Sequence, residues 1–438
     1  MTHGHQDGIG EVMKTKRQIA KLGSTLAGLL CFNFLMESST AFSAVRINSF
    51  SSKPRRAAVD QEFPTDPFVR RQVRFWEAIF QKYKSNSIVI HDVDDPLAMV
   101  DVIDFDRYIT NDGKVTSIGD SEQTTLVKKY IDRYNIAVER FVKLKDEALR
   151  FGAIEQRLFE VYSREPQMLA KLYSGNIRFR GQGGLADTFI AAANRAQDYL
   201  PYMEETFIKY GLPVTLTRLP FVESMFNLNA KSKVGASGLW QFMPETAREY
   251  MYVGQLIDER NNPFKATHGA AQLFMTNYKE LGAWPLAVTA YNHGRGGMSR
   301  AMKELRTAQL GTIITTYKSP SFGFASKNFY AEFLAAARTY EFIKSKGMLA
   351  NKKKPLPVDV VTLTKPLSVQ EIARITGMPK DTIAKHNPCL TNMALSRGIS
   401  TPLPRQYEIR LPRPESAVVK KRLAMGTTRT APKRLSRR

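Results

Sequence analysis

The sequence predicts a mainly α protein built from several units, on three observations. Its 438 residues exceed what one hydrophobic core usually organises, so two or three units are expected. Hydrophobic residues at 43% and charged residues at 24% are the balance of a chain that buries a sizeable core. Apolar residues recur at helical spacing through most of the chain, with Gly, Asn and Pro as punctuation.

At the N-terminus, Lys14, Lys16, Arg17 and Lys21 precede an apolar run from Leu22 to Met36 and small residues through Ala44. This is the pattern of a signal peptide over residues 1–43, with Met13 as an alternative start and cleavage near Ala41-Phe42-Ser43. The run is short for a bilayer span, and bulky Leu30 before Cys31 makes a poor lipidation site. The expectation is an exported protein of the periplasm or cell envelope, with membrane association left open. Once a leader containing Cys31 is removed, Cys389 stands alone, so no internal disulfide can form. A formal net charge of +23 calls for an acidic partner; export favours an anionic envelope surface over nucleic acid.

Residues 44–67 mix Ser, Pro, Arg and Asp without apolar periodicity and are expected to be a linker. A mainly helical region follows over 68–200: Phe68 to Phe80 has helical spacing, Ile88-Val89-Ile90 a short strand, and Glu122 to Leu149 a second helix. His91-Asp92-Val93-Asp94-Asp95 has metal-ligating residue types, but acids before Pro96 more often form a solvated turn, so no metal is expected there. Regular punctuation at Gly211-Leu212-Pro213, Lys231 to Gly238, Asn261-Asn262-Pro263 and His293 to Gly297 marks a compact helical domain over 201–347. After Lys352-Lys353-Lys354 comes a small unit, 356–412, with an apolar segment at each end and a helix from Ser368 to Thr376. Residues 413–438 are basic, poor in apolar groups and predicted to be a disordered tail suited to an anionic surface.

One carboxyl group stands out. Glu223 closes an apolar segment containing Leu216, Leu219 and Val222, and is flanked by Phe221, Met225 and Phe226. An acid in such surroundings resists ionisation, which suits a general acid aimed at a glycosidic oxygen. Gly235 and Gly238 permit a tight turn, and Trp240 could offer apolar area to a sugar, although core packing is the stronger reading. Gln241 can both donate and accept.

Three segments in order give these residues a family. Leu219 to Asn227 contains Glu223-Ser224, Gly235 to Pro244 contains Ser237 and Gln241, and Ala290-Tyr291-Asn292 follows Trp284-Pro285-Leu286. Together they resemble the lytic transglycosylase catalytic domain, of the membrane-bound lytic murein transglycosylase D type, over about a third of the chain. The resemblance implies a lysozyme-like helical fold, peptidoglycan glycan strands as substrate, and no cofactor. It makes Glu223 catalytic and Ser224, Ser237, Gln241, Tyr291 and Tyr330 substrate-binding. Two departures stand out. His293-Gly294-Arg295-Gly296-Gly297 replaces the usual Ala-Gly continuation, and Ser326-Lys327-Asn328-Phe329-Tyr330 keeps only the Tyr of the fourth motif. His293 is read as incidental and Asn292 as structural.

Ordinary glycosidases use two carboxylates. No convincing second one is evident: Glu245 suits a helix first turn, and Asp258 and Glu259 with Arg260 an ion-paired turn. The resemblance implies a one-acid route, in which Glu223 protonates the bond between N-acetylmuramic acid and N-acetylglucosamine and then deprotonates the muramic C6 hydroxyl, leaving a 1,6-anhydro end. A lysozyme-type muramidase and a non-catalytic wall-binding protein are the rival readings. Finally, Pro366 to Gly377, Ile383 and Asn387-Pro388 resemble the start of a LysM glycan-binding module without its usual Gly-Asp-Thr turn. Because the catalytic motifs end before it, its removal is expected to spare turnover of short glycans.

Overall fold

The computed structural model describes residues 62–105, 120–143, 152–351, 358–396 and 401–425. The leader, most of the linker and the end of the basic tail lie outside these residues. Among the described residues there are 17 α-helices, so the mainly α expectation holds, with the small C-terminal unit α+β. None of these helices is long and apolar enough to cross a membrane.

In chain order the first elements are α1 (Pro67–Gln81), β1 (Ser87–Asp92), β2 (Met99–Asp104), α2 (Asp120–Lys143), α3 (Ala153–Tyr162), α4 (Pro166–Ser174) and β3 (Phe179–Gly183). There follow α5 (Ala186–Ala196), α6 (Leu200–Lys209), a 3-10 turn (Val214–Arg218), α7 (Pro220–Glu223), α8 (Pro244–Ala247) and a 3-10 turn (Glu259–Asn261). The remaining helices before the small unit are α9 (Pro263–Leu281), α10 (Trp284–His293), α11 (Arg295–Leu305), α12 (Leu310–Thr316) and α13 (Phe324–Ser345). The small unit holds β4 (Val358–Thr362), α14 (Val369–Thr376), α15 (Lys380–His386), α16 (Asn392–Leu395), β5 (Glu408–Pro412) and α17 (Arg413–Met425).

The described residues divide into two compact units, one drawn from within 1–226 and 271–349, the other from within 227–270 and 350–438. This partition cuts across the continuous segments read from the sequence. In the first unit, α13 is the central helix and packs against α1, α5, α7, α10 and the first 3-10 turn. Its run of Leu334, Ala335, Ala336 and Ala337 is buried, and small side chains let neighbouring helices approach closely. The fold begins earlier than the predicted boundary at residue 68. Phe63 is fully buried, its ring 5.4 Å from that of Phe333 and 6.0 Å from that of Trp284. Asp66 then caps α1 by accepting from the Val69 amide at 2.9 Å, with Pro67 in the first turn.

The N-terminal part of this unit contains an antiparallel sheet of order β2-β1-β3, with the β1–β2 register shifting between Ile90 and His91. The expected solvated turn at His91 is corrected: His91 and Asp92 end a strand and are wholly buried. Burial of the Asp92 carboxylate is balanced by Lys171 Nζ at 2.6 Å and the Tyr162 hydroxyl at 2.9 Å. Burial pushes His91 down to about 3, so its ring is neutral. No cluster suited to a metal ion occurs among the described residues.

In the second unit, β4 and β5 pair antiparallel from Val358↔Pro412 to Thr362↔Glu408. Ser368 and Glu371 form a reciprocal capping box at the start of α14, and Gly377, with φ 72°, ends it. The prediction of disorder from residue 413 is corrected for 413–425, which form α17: Val419 and Leu423 are buried in the unit's core, and the Lys and Arg between them favour helix. That core also takes in Ile257, from the segment that carries the second motif.

Candidate active site

Glu223 ends α7, a single turn that begins at Pro220 and whose Glu223 amide donates to Leu219 O at 3.1 Å. The turn is anchored by Phe221, buried and stacked on Phe189 at 4.7 Å, with Phe226 at 4.5 Å and Tyr340 at 5.3 Å. Behind it the chain reverses through Met225 and Phe226, both left-handed at φ 50° and 55°. Phe226 N donates to Pro220 O at 3.2 Å, Ser224 Oγ to the same carbonyl at 3.3 Å, and an Arg195 guanidinium nitrogen to Met225 O at 2.7 Å. Strained backbone held by surrounding contacts is a common property of functional sites. Here it leaves the Glu223 side chain partly exposed.

Tyr291 lies on α10, which Asn277 braces from α9 by donating to Ala287 O at 3.2 Å. The ring of Tyr291 stacks on Phe274 at 5.2 Å. Its hydroxyl is held far above the usual tyrosine range by burial and, second, by the charge of Glu223. Glu223 and Tyr291 are therefore brought together, and the phenol stays protonated as a hydrogen-bond donor.

Two further groups share this field. Burial, followed by the charge of Glu223, raises Glu332 on α13 to about 8, and Arg180 on β3 opposes the shift. Arg180 is itself pushed down by burial; its guanidinium stands 3.8 Å from the Phe324 ring centroid and its Nε is buried without a partner. Tyr291 and Glu332 are both half-buried. Neither Glu332 nor Arg180 was expected from the sequence. An acid inside an Ala- and Phe-rich helix was the only signal for Glu332.

The other candidates are placed differently. Tyr330 is 1% exposed and donates to Pro64 O at 3.1 Å, a packing position. Ser237 and Gln241 belong to the second unit. Ser237 is buried and donates to Asn261 Oδ1 at 2.7 Å. Gln241, at φ 48°, donates through its side-chain amide to Ala230 O at 3.0 Å and Gly238 O at 2.8 Å. Trp240 is fully buried with its indole N–H on Thr267 Oγ1 at 3.1 Å, as the core reading expects. Arg260 ties this loop together: it pairs with Asp258 through both carboxylate oxygens, at 2.9 and 2.7 Å, and donates to Gly235 O and Phe242 O. His293 is lowered by burial and by Arg300, and packs edge-on against Phe322.

Comparison with known proteins adds the following. Residues 203–311 match the family model described as the transglycosylase SLT domain. Over 235 residues the chain is 27% identical to the membrane-bound lytic murein transglycosylase D of Escherichia coli (strain K12), covering 53% of this chain and 50% of that protein. Over 114 residues it is 33% identical to a putative tributyltin chloride resistance protein of Alteromonas sp. (strain M-1), covering 26% and 55%. The chain thus spans about half the length of the curated relatives it matches. Among solved structures it is similar to the 70 kDa soluble lytic transglycosylase SLT70 of Escherichia coli, with a TM-score of 0.29 and 18% identity over 52% of this chain and 31% of that one.

Proposed function

We propose that this chain, which carries a transglycosylase SLT domain over residues 203–311, is a peptidoglycan lytic transglycosylase. The observation that carries the reading is Glu223, in the segment matched to that domain, set on a braced turn beside the protonated hydroxyl of Tyr291. Glu223 protonates the oxygen between N-acetylmuramic acid and N-acetylglucosamine, and that bond breaks. The same carboxylate then takes the proton of the muramic C6 hydroxyl as its oxygen closes on C1, giving a 1,6-anhydro ring. The C6 hydroxyl is tethered to the reacting ring, so its effective concentration exceeds that of water. Tyr291 donates toward the developing charge, and Gln241 is the contact for an N-acetyl group. The protein works in the periplasm or cell envelope, with the C-terminal module assisting glycan contact.

Glu332 keeps a second reading open, because a muramidase that admits water uses two carboxyl groups. Its raised proton affinity speaks against that role: a carboxyl that keeps its proton to about pH 8 is neither nucleophile nor base at neutral pH. Mass spectrometry of muropeptides released from purified sacculi separates the two. Anhydro-muramic ends are expected, and their loss in Glu223→Gln with the fold retained. A pool of reducing muramic ends, heavier by one water, would establish the muramidase instead.

A further inference from the structure

The reversal behind Glu223 is held from a neighbouring helix. A helix that closes through a left-handed residue normally places glycine there, because a side chain makes that conformation costly. After α7 that position is Met225, and Phe226 repeats it. Pro220 O accepts the Ser224 and Phe226 amides at 3.1 and 3.2 Å, which closes the turn on itself. The Met225 carbonyl finds its donor outside the turn, in the Arg195 guanidinium of α5 at 2.7 Å. An arginine in the last turn of a helix can serve that helix's own free carbonyls. Those of α5 are already used: Arg195 O accepts from Asp198 N at 3.2 Å and Ala196 O from Tyr199 N at 3.0 Å. Arg195 makes no ion pair among the described residues, and its Nε is buried without a partner. The side chain thus leaves one polar group unsatisfied while committing to a single acceptor, two residues beyond Glu223.

We propose that Arg195 is a positioning residue for Glu223: by holding the Met225 carbonyl it keeps two residues with side chains in the left-handed conformation, and so fixes the path of the chain out of the turn that carries the carboxyl. This rests on the reading of Glu223 as the acid of a peptidoglycan transglycosylase. Arg195 acts through the backbone and touches neither glycan nor reacting atoms. Its base is firm, because α5 packs on α7 with the Phe189 ring stacked on that of Phe221 at 4.7 Å. A charged donor on a carbonyl is stronger than a neutral one, which suits the task of offsetting strained backbone. The demand on placement is high, since a shift of about 1 Å at a reacting group can cost about a hundredfold in rate.

The test is a double-mutant cycle on the full chain, with steady-state cleavage of soluble, uncrosslinked peptidoglycan strands measured beside denaturant midpoints. Arg195→Ala is expected to lower kcat about tenfold or more, with KM within about twofold of the parent. Met225→Gly takes the left-handed conformation without strain, so in its presence Arg195→Ala should cost only about twofold. A general packing role for Arg195 would not depend on the residue at 225. Equal losses in the two backgrounds, or a change in KM alone, therefore overturn the assignment. Should Arg195→Ala fail to fold by circular dichroism, recovery of the fold in the double variant supports the assignment and failure of both overturns it. A parent that cleaves no strand overturns the peptidoglycan reading instead. The cycle is then read in the denaturant midpoints, where additive losses overturn the hold of Arg195 on the turn.

Discussion

Ile257 and Leu390 pair as an antiparallel bridge, with Asp258 N donating to Cys389 O at 2.8 Å and Thr391 N to Leu256 O at 3.0 Å on either side of it. Ile257 is buried in the core of the C-terminal module, and the Arg410 guanidinium lies 3.7 Å from the Phe264 ring centroid. Residues 227–270 and the module are therefore one folded unit. Its removal is not the neutral trimming that the order of motifs suggested.

Deleting Val358–Arg438 is accordingly expected to lower the thermal midpoint and to abolish turnover of short soluble glycans along with wall binding. Leu390→Ala gives the graded version, with a loss of about 2–4 kcal/mol in chemical denaturation. Full turnover of short glycans by a stably folded truncated chain would show that the bridge is dispensable.

Tyr291→Phe removes one hydroxyl and keeps the ring stacked on Phe274. The expected result is a kcat lower by about ten- to a hundredfold with KM and melting behaviour little changed, because the hydroxyl lies within the electrostatic influence of Glu223. Steady-state kinetics beside a melting curve checks this. A change in KM alone would place the hydroxyl on bound substrate rather than on the reacting centre.

The raised proton affinity of Glu332 fixes a sign for stability against pH. Between the ordinary carboxylate range and about 8 the folded chain holds a proton that the unfolded chain has lost, so this contribution is complete below that range and declines as pH rises through about 8. Denaturant midpoints should fall from pH 5 to 8.5, and Glu332→Gln should flatten the fall by roughly 1–3 kcal/mol, less than full burial would give because the group is partly exposed. Identical slopes in the two proteins would contradict this.

Gly238 has φ 79°, and a Cβ there would overlap the Arg260 carbonyl oxygen. Gly238→Ala should destabilise by about 2–4 kcal/mol through strain and steric conflict together. Gly235 has φ 99° with open space around it, so Gly235→Ala should cost about 1–2 kcal/mol from backbone strain alone. Paired unfolding curves of the two variants test the ordering.

Glu223, the loop around Gln241 and Tyr291 could be singled out as candidates because each sits in a short run whose residue types follow one another in sequence. Glu332 and Arg180 were not. An acid inside a helix and an arginine in a five-residue strand carry no local mark, and they meet only when α13 packs beside the sheet-bearing part of the chain. Helices were likewise readable from periodicity, while the partnership of Ile257 with Leu390 was not, since both lie in loops whose apolar residues have no period to follow. Tyr330 shows the converse: its motif position was visible, but not the Pro64 carbonyl that engages its hydroxyl.

The left-handed pair behind Glu223 has one more consequence. Glycines would occupy those angles at almost no energy and let the reversal flex by degrees; Met225 and Phe226 each prefer to leave them by about 1–2 kcal/mol. The Arg195 guanidinium, which donates to the Met225 carbonyl at 2.7 Å, is one of the contacts that offset this preference. Loss of that contact therefore leaves the strain of two left-handed residues unopposed, so Arg195→Ala should destabilise the fold around Glu223.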